Sequence, residues 1–558
     1  VDFERAGRVL AGVTCVIMAS RSTGHRAPLL WLVVPGMLGL TLAHIGLPGI
    51  AGAWLAVATG CLLVIAILTA RRGTWIWAGT LCAAMILIGM LYGQSRWRGV
   101  PERADLPSRE ARLEVRVARV FAVDETDRSI GLGEVGGTDA HLAELRGQRI
   151  YWAMDAAAPV RGEVVELLGV LTPLPADPEA ESFDSFLENA GVTFSLRRAE
   201  RLGTVRAAPA YYQWCERMRA RFAQILGLGL EDRPELAGVV RAMALGQKAE
   251  LDDGQETLFR ESGTMHLFAI SGLHIGVIAG VFELLLVLTR MPAWLRFWIG
   301  TALLWLYVDI TGAPPSAVRA FIMVAFVHAA WRWRAPGNAL AALAAAALVV
   351  LVIAPEQMFS ASFQLSYGIV AALLMLGLPL MERLKERWAL FEALPRAAWS
   401  RAHRAVNASW RALLDGVSLG VAAALVGILG GVAFFGVLTP GAFVANLVLV
   451  PLASLTLMAA VGAMLTGLVG ATWLTVVFNH AAALLAWLMQ ALVETGMRVP
   501  GMSFPANLRW PELGPLTIAG TVALIALGYA RKWSPTRAGL LVPLAWVLAV
   551  LIFGVRLE

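Results

Sequence analysis

Residues 265–289 read MHLFAISGLHIGVIAGVFELLLVLT, a stretch with one carboxylate and no lysine or arginine. About 20 mainly apolar residues in a helix cross the hydrocarbon core of a bilayer, so this stretch predicts a membrane-spanning helix. Nine comparable stretches follow it almost without pause up to residue 554, and three precede it between residues 29 and 92. The predicted fold is therefore that of a mainly α-helical polytopic membrane protein with about thirteen transmembrane helices.

The composition supports this fold class. Hydrophobic residues make up 58% of the 558 residues and charged residues 15%, against roughly 45–50% and 25% in soluble proteins. This composition excludes a soluble enzyme. A shorter apolar run at 9–19 is predicted to be interfacial or re-entrant. The predicted spans are residues 29–47, 53–68, 74–92, 265–289, 294–311, 316–331, 338–353, 361–381, 416–437, 442–466, 472–494, 515–530 and 538–554.

Residues 105–205 differ from the rest of the chain in charge and pattern. They hold 11 basic and 18 acidic residues, whereas the remainder holds 35 and 22. Apolar and polar residues alternate in segments at 112–117, 149–154, 162–171 and 192–196, which predicts a small antiparallel, barrel-like β domain. The predicted organisation is 1–104 N-terminal transmembrane segments, 105–205 the β domain, 206–262 an amphipathic interfacial helix and linker, and 263–558 a transmembrane channel domain.

The distribution of arginine predicts the orientation. Cytoplasmic loops of membrane proteins carry an excess of Lys and Arg, and Arg5, Arg8, Arg71 and Arg72 fall on alternate loops. The N-terminus is therefore predicted to be cytoplasmic, and the β domain and the C-terminus extracytoplasmic.

Common catalytic signatures are missing from the sequence. It contains no GxxxxGK[ST], no HExxH and no HxHxDH run, so P-loop nucleotide hydrolysis and zinc hydrolysis are unsupported. We expect no metal, no cofactor and no enzymatic role for this chain.

Polar residues inside apolar segments are the candidate functional residues, because burying such groups in hydrocarbon is costly. On one continuous helix His266, Ser271 and His274 would share an arc of about 140°, and Gly272 and Gly276 would permit close backbone approach or a broken helix. Each polar group can instead hydrogen-bond a neighbouring helix and stabilise the bundle.

Three further motifs share this character. In Asp309-Ile-Thr-Gly-Ala-Pro-Pro-Ser316-Ala-Val-Arg319, the arginine is expected to snorkel, to pair with Asp309 or to contact a passing anion such as phosphate. Ser362-Phe-Gln364-Leu-Ser366-Tyr367 and the pair Asn479-His480 place further polar groups at membrane depth. Asn446 lies in a helix bracketed by Pro440 and Pro451 that we expect to be interrupted.

These motifs resemble the competence domain of the ComEC family. The resemblance lies in their order and spacing across residues 235–510, and Phe183-Asp184 and Gly191-Val192 resemble the end of that family's N-terminal OB-type domain. The matching segments are His266-Leu-Phe-Ala-Ile-Ser-Gly-Leu-His274-Ile, Pro315-Ser-Ala-Val-Arg-Ala320, Phe363-Gln-Leu-Ser366 and Ala445-Asn-Leu-Val-Leu-Val-Pro451.

The resemblance implies a bacterial inner-membrane channel that translocates single-stranded DNA into the cytoplasm during natural transformation. It also implies membrane lipid, a competence DNA receptor with its uptake pilus, and a cytoplasmic helicase-like motor as partners. Many members add a C-terminal metallo-β-lactamase-like domain, which is expected to be absent from this chain. The expected channel residues are His266, Ser271, Gly272, His274, Ser316, Arg319, Gln364, Ser366 and Asn446.

OB-type domains bind single strands through basic grooves and stacking aromatic rings. The net charge of −7 in residues 105–205 opposes such binding, so a structural or gating role for the barrel is an equal alternative. The possible DNA contacts in this domain are Arg116, Arg119, Arg149, Tyr151, Trp152, Arg197 and Arg198.

Two other function classes remain open from the sequence. One is a secondary transporter of a small anion that uses Arg319 and interrupted helices. The other is an intramembrane hydrolase built on Ser271 with His274 or His480.

Overall fold

The computed structural model describes residues 29–45, 52–70, 75–97, 107–123, 128–175, 182–332 and 338–557. The run at 9–19 lies outside these residues. Most strands lie in the middle of the chain, and three short strands between and after the C-terminal helices form a second sheet. In chain order the helices and strands are α1 (Leu30–His44), α2 (Gly52–Thr69), α3 (Trp75–Trp97), β1 (Arg109–Val123), β2 (Arg128–Thr138), β3 (Arg149–Asp155), β4 (Val164–Pro173), α4 (Phe183–Asn189), β5 (Val192–Arg206), α5 (Ala210–Gly227), α6 (Pro234–Leu245), α7 (Asp253–Glu261), α8 (Gly272–Leu288), α9 (Ala293–Ile310), α10 (Pro315–Arg332), α11 (Ala339–Ile353), α12 (Ala361–Ala372), α13 (Leu378–Arg387), α14 (Arg401–Phe435), β6 (Val437–Leu438), α15 (Ala442–Leu468), α16 (Thr472–Met497), β7 (Phe504–Leu508), α17 (Gly514–Ala530), α18 (Ala538–Gly554) and β8 (Val555–Leu557).

The membrane-protein character is confirmed. Within the described residues, 8 helices are long and apolar enough to cross a bilayer, and they include the continuous segment formed by α12, one π-helical turn and α13. Five shorter apolar helical segments of 10 to 17 residues lie in α1, α8, α10, α11 and α18. Each predicted span falls on one of these helices, while the number of thirteen spans stays a prediction.

The predicted β domain is a closed five-stranded barrel with strand order β1-β2-β3-β5-β4. Strand β4 closes the barrel on β1, and β3 with β5 forms its parallel pair. Strand β2 was not among the predicted strands because its sequence, RSIGLGEVGGT, is rich in glycine. A Cβ at Gly131 would lie 2.5 Å from the Trp152 ring, so this glycine makes room for the largest side chain in the barrel core.

The helices enclose two separate apolar cores. The first is built from α5 to α10 with α15 and α16, and the second from α1, α11, α12, α14, α17 and α18. Helix α10 belongs to both, because Ala317 and Ala320 are buried in the first core while Ile322 and Met323 pack against the second. We call the boundary between the two cores, where α10 meets α12, the seam.

Two predictions about helix continuity are wrong. The stretch 265–289 is not one helix, because Met265–Phe268 forms a short 3₁₀ turn, the chain is extended at Ser271, and α8 begins at Gly272. Helix α15 is not interrupted, since it runs through Pro451. In the turn around this proline the Ser454 hydroxyl donates to the carbonyl of Val450 at 2.9 Å, the kind of contact that lets membrane helices tolerate proline.

The amphipathic helix predicted over 211–226 is α5, and it packs on protein. Its apolar side buries Cys215, Ile225 and Leu226. The side-chain amide of Asn479 on α16 donates to the carbonyls of Ile225 and Leu228 at 2.7 and 2.9 Å, which satisfies the carboxyl end of α5. Asn479 therefore joins two helices.

Candidate functional site

The predicted residues around Ser271 lie at a helix start and not along one helical face. Ser271 precedes α8, and its Oγ lies 3.0 Å from Nδ1 of His274, while its own backbone N–H donates to that nitrogen at 3.3 Å. His274 is fully buried, whereas His266 and Gly272 are exposed. The expectation that the two histidines and Ser271 share one helical arc is therefore wrong.

Ser316 connects this turn to the next helix. It lies in the first turn of α10, and its hydroxyl donates to the carbonyl of Ile270 at 2.5 Å. Two motifs that are 46 residues apart in sequence are thus joined at the first helical core.

Arg319 lies one turn further along α10 and is 1% exposed. Its Nη2 donates to the carbonyl and to the hydroxyl of Ser362, at 2.8 and 2.7 Å. Ser362 is on α12, so this contact crosses the seam. Nε and Nη1 of Arg319 have no hydrogen-bond partner among the described residues.

The expected pairing of Arg319 with Asp309 is wrong. The Asp309 carboxylate instead accepts from Arg161 of the barrel at 2.9 Å and from the Tyr211 hydroxyl at 2.8 Å. Burial, followed by the bond to Asp309, raises the pKa of Tyr211. Asp309 is therefore satisfied by the barrel and by α5.

The remaining predicted channel residues lie on α12 and α15. The amide of Gln364 donates to the carbonyls of Met358 and Phe359 at 3.4 and 3.3 Å, and Ser366 is partly exposed on the same helix. Asn446 lies on α15, which packs against α8, and its buried Oδ1 has no partner in the described part of the chain. The described hydrogen bonds thus join the turn at Ser271, α10 and α12, and they do not reach Asn446.

Several barrel residues predicted to contact DNA are engaged or buried. Trp152 is 0% exposed and Tyr151 8% exposed, so neither ring is open to stacking. Trp152 fills the barrel interior, whereas Tyr151 points to the other face of the strand and is covered in a separate cluster with Leu174 and Leu187. Arg149 pairs with Glu356 of the helical part at 2.5 Å. Arg116 and Arg197 are exposed and lie 3.7 and 4.0 Å from Glu134 and Asp184 respectively.

The exposed aromatic side chains of the barrel are different ones. Phe183 and Phe186 on α4 are about half exposed, and their rings stack 5.8 Å apart. Phe121 meets Phe186 edge-on at 5.9 Å, and the Arg119 guanidinium lies over Phe121 at 5.1 Å. The sequence signal for this cluster is two phenylalanines three residues apart on a helix too short to bury both.

Among the described residues, two ion pairs join the barrel to the helical part. Arg161, in the turn before β4, binds Asp309 near the end of α9, and Arg149 binds Glu356 in the turn before α12. Each carboxylate shortly precedes a helix that carries seam residues, α10 for Asp309 and α12 for Glu356. Sequence reasoning did not find these pairs, because their partners are 148 and 207 residues apart.

Basic side chains also gather where β1 meets the turn at Lys248–Glu250. Burial, followed by the charge of Arg161, lowers the pKa of Arg119 to about 10, and burial lowers the pKa of Lys248. The charges of Arg119 and Lys248 influence each other. We call Arg119, Arg161 and Lys248 the basic junction; it lies between an acidic barrel and the start of α10.

The described residues contain no group of three or more His, Cys, Asp or Glu side chains that could hold a metal ion. Nδ1 of His266 lies within hydrogen-bond distance of the Gly263 carbonyl, and Nδ1 of His274 within hydrogen-bond distance of the Ser271 hydroxyl.

A multi-pass helical membrane protein with an inserted barrel, and with polar side chains joined across the boundary of two apolar cores, is the class that these features define. The chain belongs to the Competence protein family, whose sequence model matches residues 243–535.

The chain is 34% identical over 147 residues to ComE operon protein 3 of Bacillus subtilis, covering 25% of this chain and 18% of that protein. It is 28% identical over 314 residues to competence protein ComA of Neisseria gonorrhoeae, covering 52% of this chain and 43% of ComA. Recombination protein 2 of Haemophilus influenzae is 30% identical over 152 residues, 25% of this chain and 19% of that protein. The matches thus span less than half of each relative, and no solved structure matches the chain.

Proposed function

We propose that this protein is a cytoplasmic-membrane channel that passes single-stranded DNA inward during natural transformation. The observation that carries the proposal is the set of polar contacts from Ile270 and Ser316 to Arg319 and Ser362. They lie on helices of two separate cores in a chain of the Competence protein family. A channel can open at the boundary of two cores, and polar groups at this boundary would then line it. Polar groups inside a single core cannot line such a channel.

The channel is passive in this proposal. Hydroxyl, amide and guanidinium groups replace the hydration of the phosphates, and a cytoplasmic helicase-like motor pulls the strand. The barrel lies outside, with the N-terminus in the cytoplasm and the C-terminus outside. A competence DNA receptor and its uptake pilus deliver DNA to the barrel, and the chain has a conducting role with no catalytic residue.

The basic junction supports an entry point for DNA where the barrel meets the helices. Arg119 and Lys248 lie where the barrel meets the helices, so they attract phosphate although the barrel as a whole is acidic. The exposed rings of Phe183 and Phe186 can stack on bases, a contact that tolerates any sequence. The predicted contacts Arg116, Arg197 and Arg198 stay candidates on the outer surface.

The test is DNA uptake in a transformable host that carries Arg319→Ala or His274→Ala at matched protein levels. We expect internalised DNA to fall at least tenfold in both, with surface-bound DNA unchanged. Arg332→Ala is the control, because Arg332 is exposed at the other end of α10. Undiminished internalisation in both variants would contradict the proposal.

The two other function classes, a small-anion transporter and an intramembrane hydrolase, predict different experimental results. A small-anion transporter would move labelled phosphate into vesicles without DNA. The continuous α15 removes one of the interrupted helices on which this class depended, whereas the break before α8 remains. An intramembrane hydrolase would be labelled by a serine-reactive probe, and Ser271→Ala would abolish the labelling. The contact of Ser271 with His274 is explained by helix capping, and no carboxylate among the described residues hydrogen-bonds His274 to complete a triad.

A further inference from the structure

Arg319 is a buried charge with unused donors. It is 1% exposed, and the bonds to Ser362 occupy only Nη2. Nε and Nη1 are buried without a hydrogen-bond partner, and so is the hydroxyl of Tyr367 on α12. Tyr367 lies five residues after Ser362, about one and a half turns along the helix that Arg319 contacts through Ser362.

The groups that face Arg319 supply no compensating negative charge. Within the described residues Arg319 forms no ion pair, and its hydrogen-bond acceptors are one carbonyl and one hydroxyl. A buried guanidinium without a counter-ion is costly, by several kcal/mol in general. We expect so costly a side chain to be retained only where it has a function.

The arrangement fits an oxyanion. The guanidinium has free N–H donors, and each of the two hydroxyl groups can donate one hydrogen bond. Phosphate oxygens are pure acceptors that arginine binds strongly. Ser362 is exposed, so an anion that reaches its hydroxyl meets an oxygen that lies 2.7 Å from the guanidinium. Because Arg319 itself is 1% exposed, an anion reaches its free N–H groups only when the helices part at the seam.

We propose that Arg319, Ser362 and Tyr367 form a phosphate-binding site at the seam. Its occupant is a phosphodiester of the translocated strand, a statement that rests on the proposed function. One phosphate after another binds there as the strand moves. The proposal assigns Ser362 and Tyr367 a role next to Arg319 that the sequence motifs did not give them.

The first experiment tests the site without DNA. The thermal unfolding midpoint of the purified protein in detergent is measured in inorganic phosphate and in chloride at equal ionic strength. We expect phosphate to raise the midpoint by about 1–2 °C, and Arg319→Gln to abolish the rise. Arg332→Gln removes the same charge from an exposed position of the same helix and should keep it.

Folding of the variant is not a confounding factor. Removing an uncompensated buried charge leaves stability unchanged or higher, so Arg319→Gln should unfold in chloride at or above the wild-type midpoint. Arg319→Lys keeps the charge but loses the planar donor array, and should keep part of the rise. An equal rise in wild type and Arg319→Gln would overturn the site.

The second experiment identifies the occupant. We expect a single-stranded oligonucleotide to bind the wild type about tenfold or more tightly than Arg319→Gln, since charge-assisted hydrogen bonds are lost. Equal affinities would overturn the assignment to DNA and leave the channel proposal standing. Absence of oligonucleotide binding by the wild type would overturn both, while the phosphate result still reports on the site.

Lipid is the remaining source of phosphate. Phosphatidylglycerol added to the detergent sample should not give a rise that depends on Arg319. A rise that Arg319→Gln abolishes with this lipid, but not with the oligonucleotide, would assign the site to a headgroup and contradict the DNA occupant.

Discussion

Single residues decide how the barrel interior is filled. Trp152 lies opposite Gly131 in the β2–β3 pairing, and the indole occupies the space that a side chain at position 131 would take. The Arg119 carbonyl is also only 2.3 Å from the position of a Cβ at Gly131. The glycine-rich strand β2 thus leaves the space that one large aromatic side chain fills.

Gly131→Ala is therefore expected to destabilise the barrel by about 1–3 kcal/mol through overpacking. Hydrogen exchange of peptides from β2 and β3 measures the effect locally. Gly203→Ala is the matched control, because Gly203 also lies in a strand and a Cβ there meets no atom within 4 Å. Equal protection in both variants would show that Trp152 moves aside without cost.

Some properties of single residues could be predicted from the sequence, and others could not. The sequence identified Arg319 as a candidate, because an arginine within an apolar segment is rare and costly. Of the three fates it left open for Arg319, pairing with Asp309 is not found, and contact with Ser362 was not among them, because Ser362 is brought close only by the packing of α10 on α12. Burial of Trp152 was likewise invisible, because an alternating strand pattern does not tell which face a tryptophan takes when both contain apolar residues.

At the scale of elements, apolar composition predicted the helices better than their ends. Helix α14 begins at Arg401, well before the predicted start at 416, because Ser400 caps it by accepting from the His403 N–H at 3.2 Å. The basic first turns were interpreted as a loop from their charge. The turn at Met265–Phe268 shows the opposite error, since apolar side chains are equally compatible with a helix and with a buried turn.

The contact between barrel and helices yields a second prediction. Arg161→Met leaves the Asp309 carboxylate, which is 3% exposed, with Tyr211 as its remaining donor. We expect a loss of about 2–3 kcal/mol in the free energy of unfolding, because a buried charge loses its partner. Denaturant titration in detergent measures it.

Two further variants sharpen this prediction. Arg116→Met breaks a pair with Glu134 in which both side chains are about half exposed, and should cost less than about 1 kcal/mol. Combining Arg161→Met with Asp309→Leu should recover most of the lost stability, because an apolar pair carries no desolvation cost. If Arg161→Met costs no more than Arg116→Met, the ion pair does not attach the barrel.

At the scale of the whole molecule, charge is separated between the barrel and its surroundings. The chain carries a net charge of +6, and the acidic barrel turns Arg119, Arg149 and Arg161 toward the helices. Total charge alone did not indicate where DNA would bind. The basic junction became apparent only from the packing of β1 against the turn at Lys248.

The third prediction concerns the salt dependence of single-strand binding. If Arg119 and Lys248 each contact a phosphate, replacing both with Gln should reduce the slope of log K against log salt by about 1.4, since each single-strand contact contributes about 0.7. Fluorescence anisotropy of a labelled oligonucleotide measures this slope. Arg112→Gln with Arg146→Gln removes the same charge from exposed barrel positions and should leave the slope unchanged.

The two ion pairs that attach the barrel also have a mechanical meaning. Two points define an axis, and rocking the barrel about the line from Arg149–Glu356 to Arg161–Asp309 stretches neither pair. Any other rotation pulls on the segments that lead into α10 or α12. With respect to these two pairs, a force on the barrel therefore meets least resistance in rotation about that line, which acts as a hinge axis.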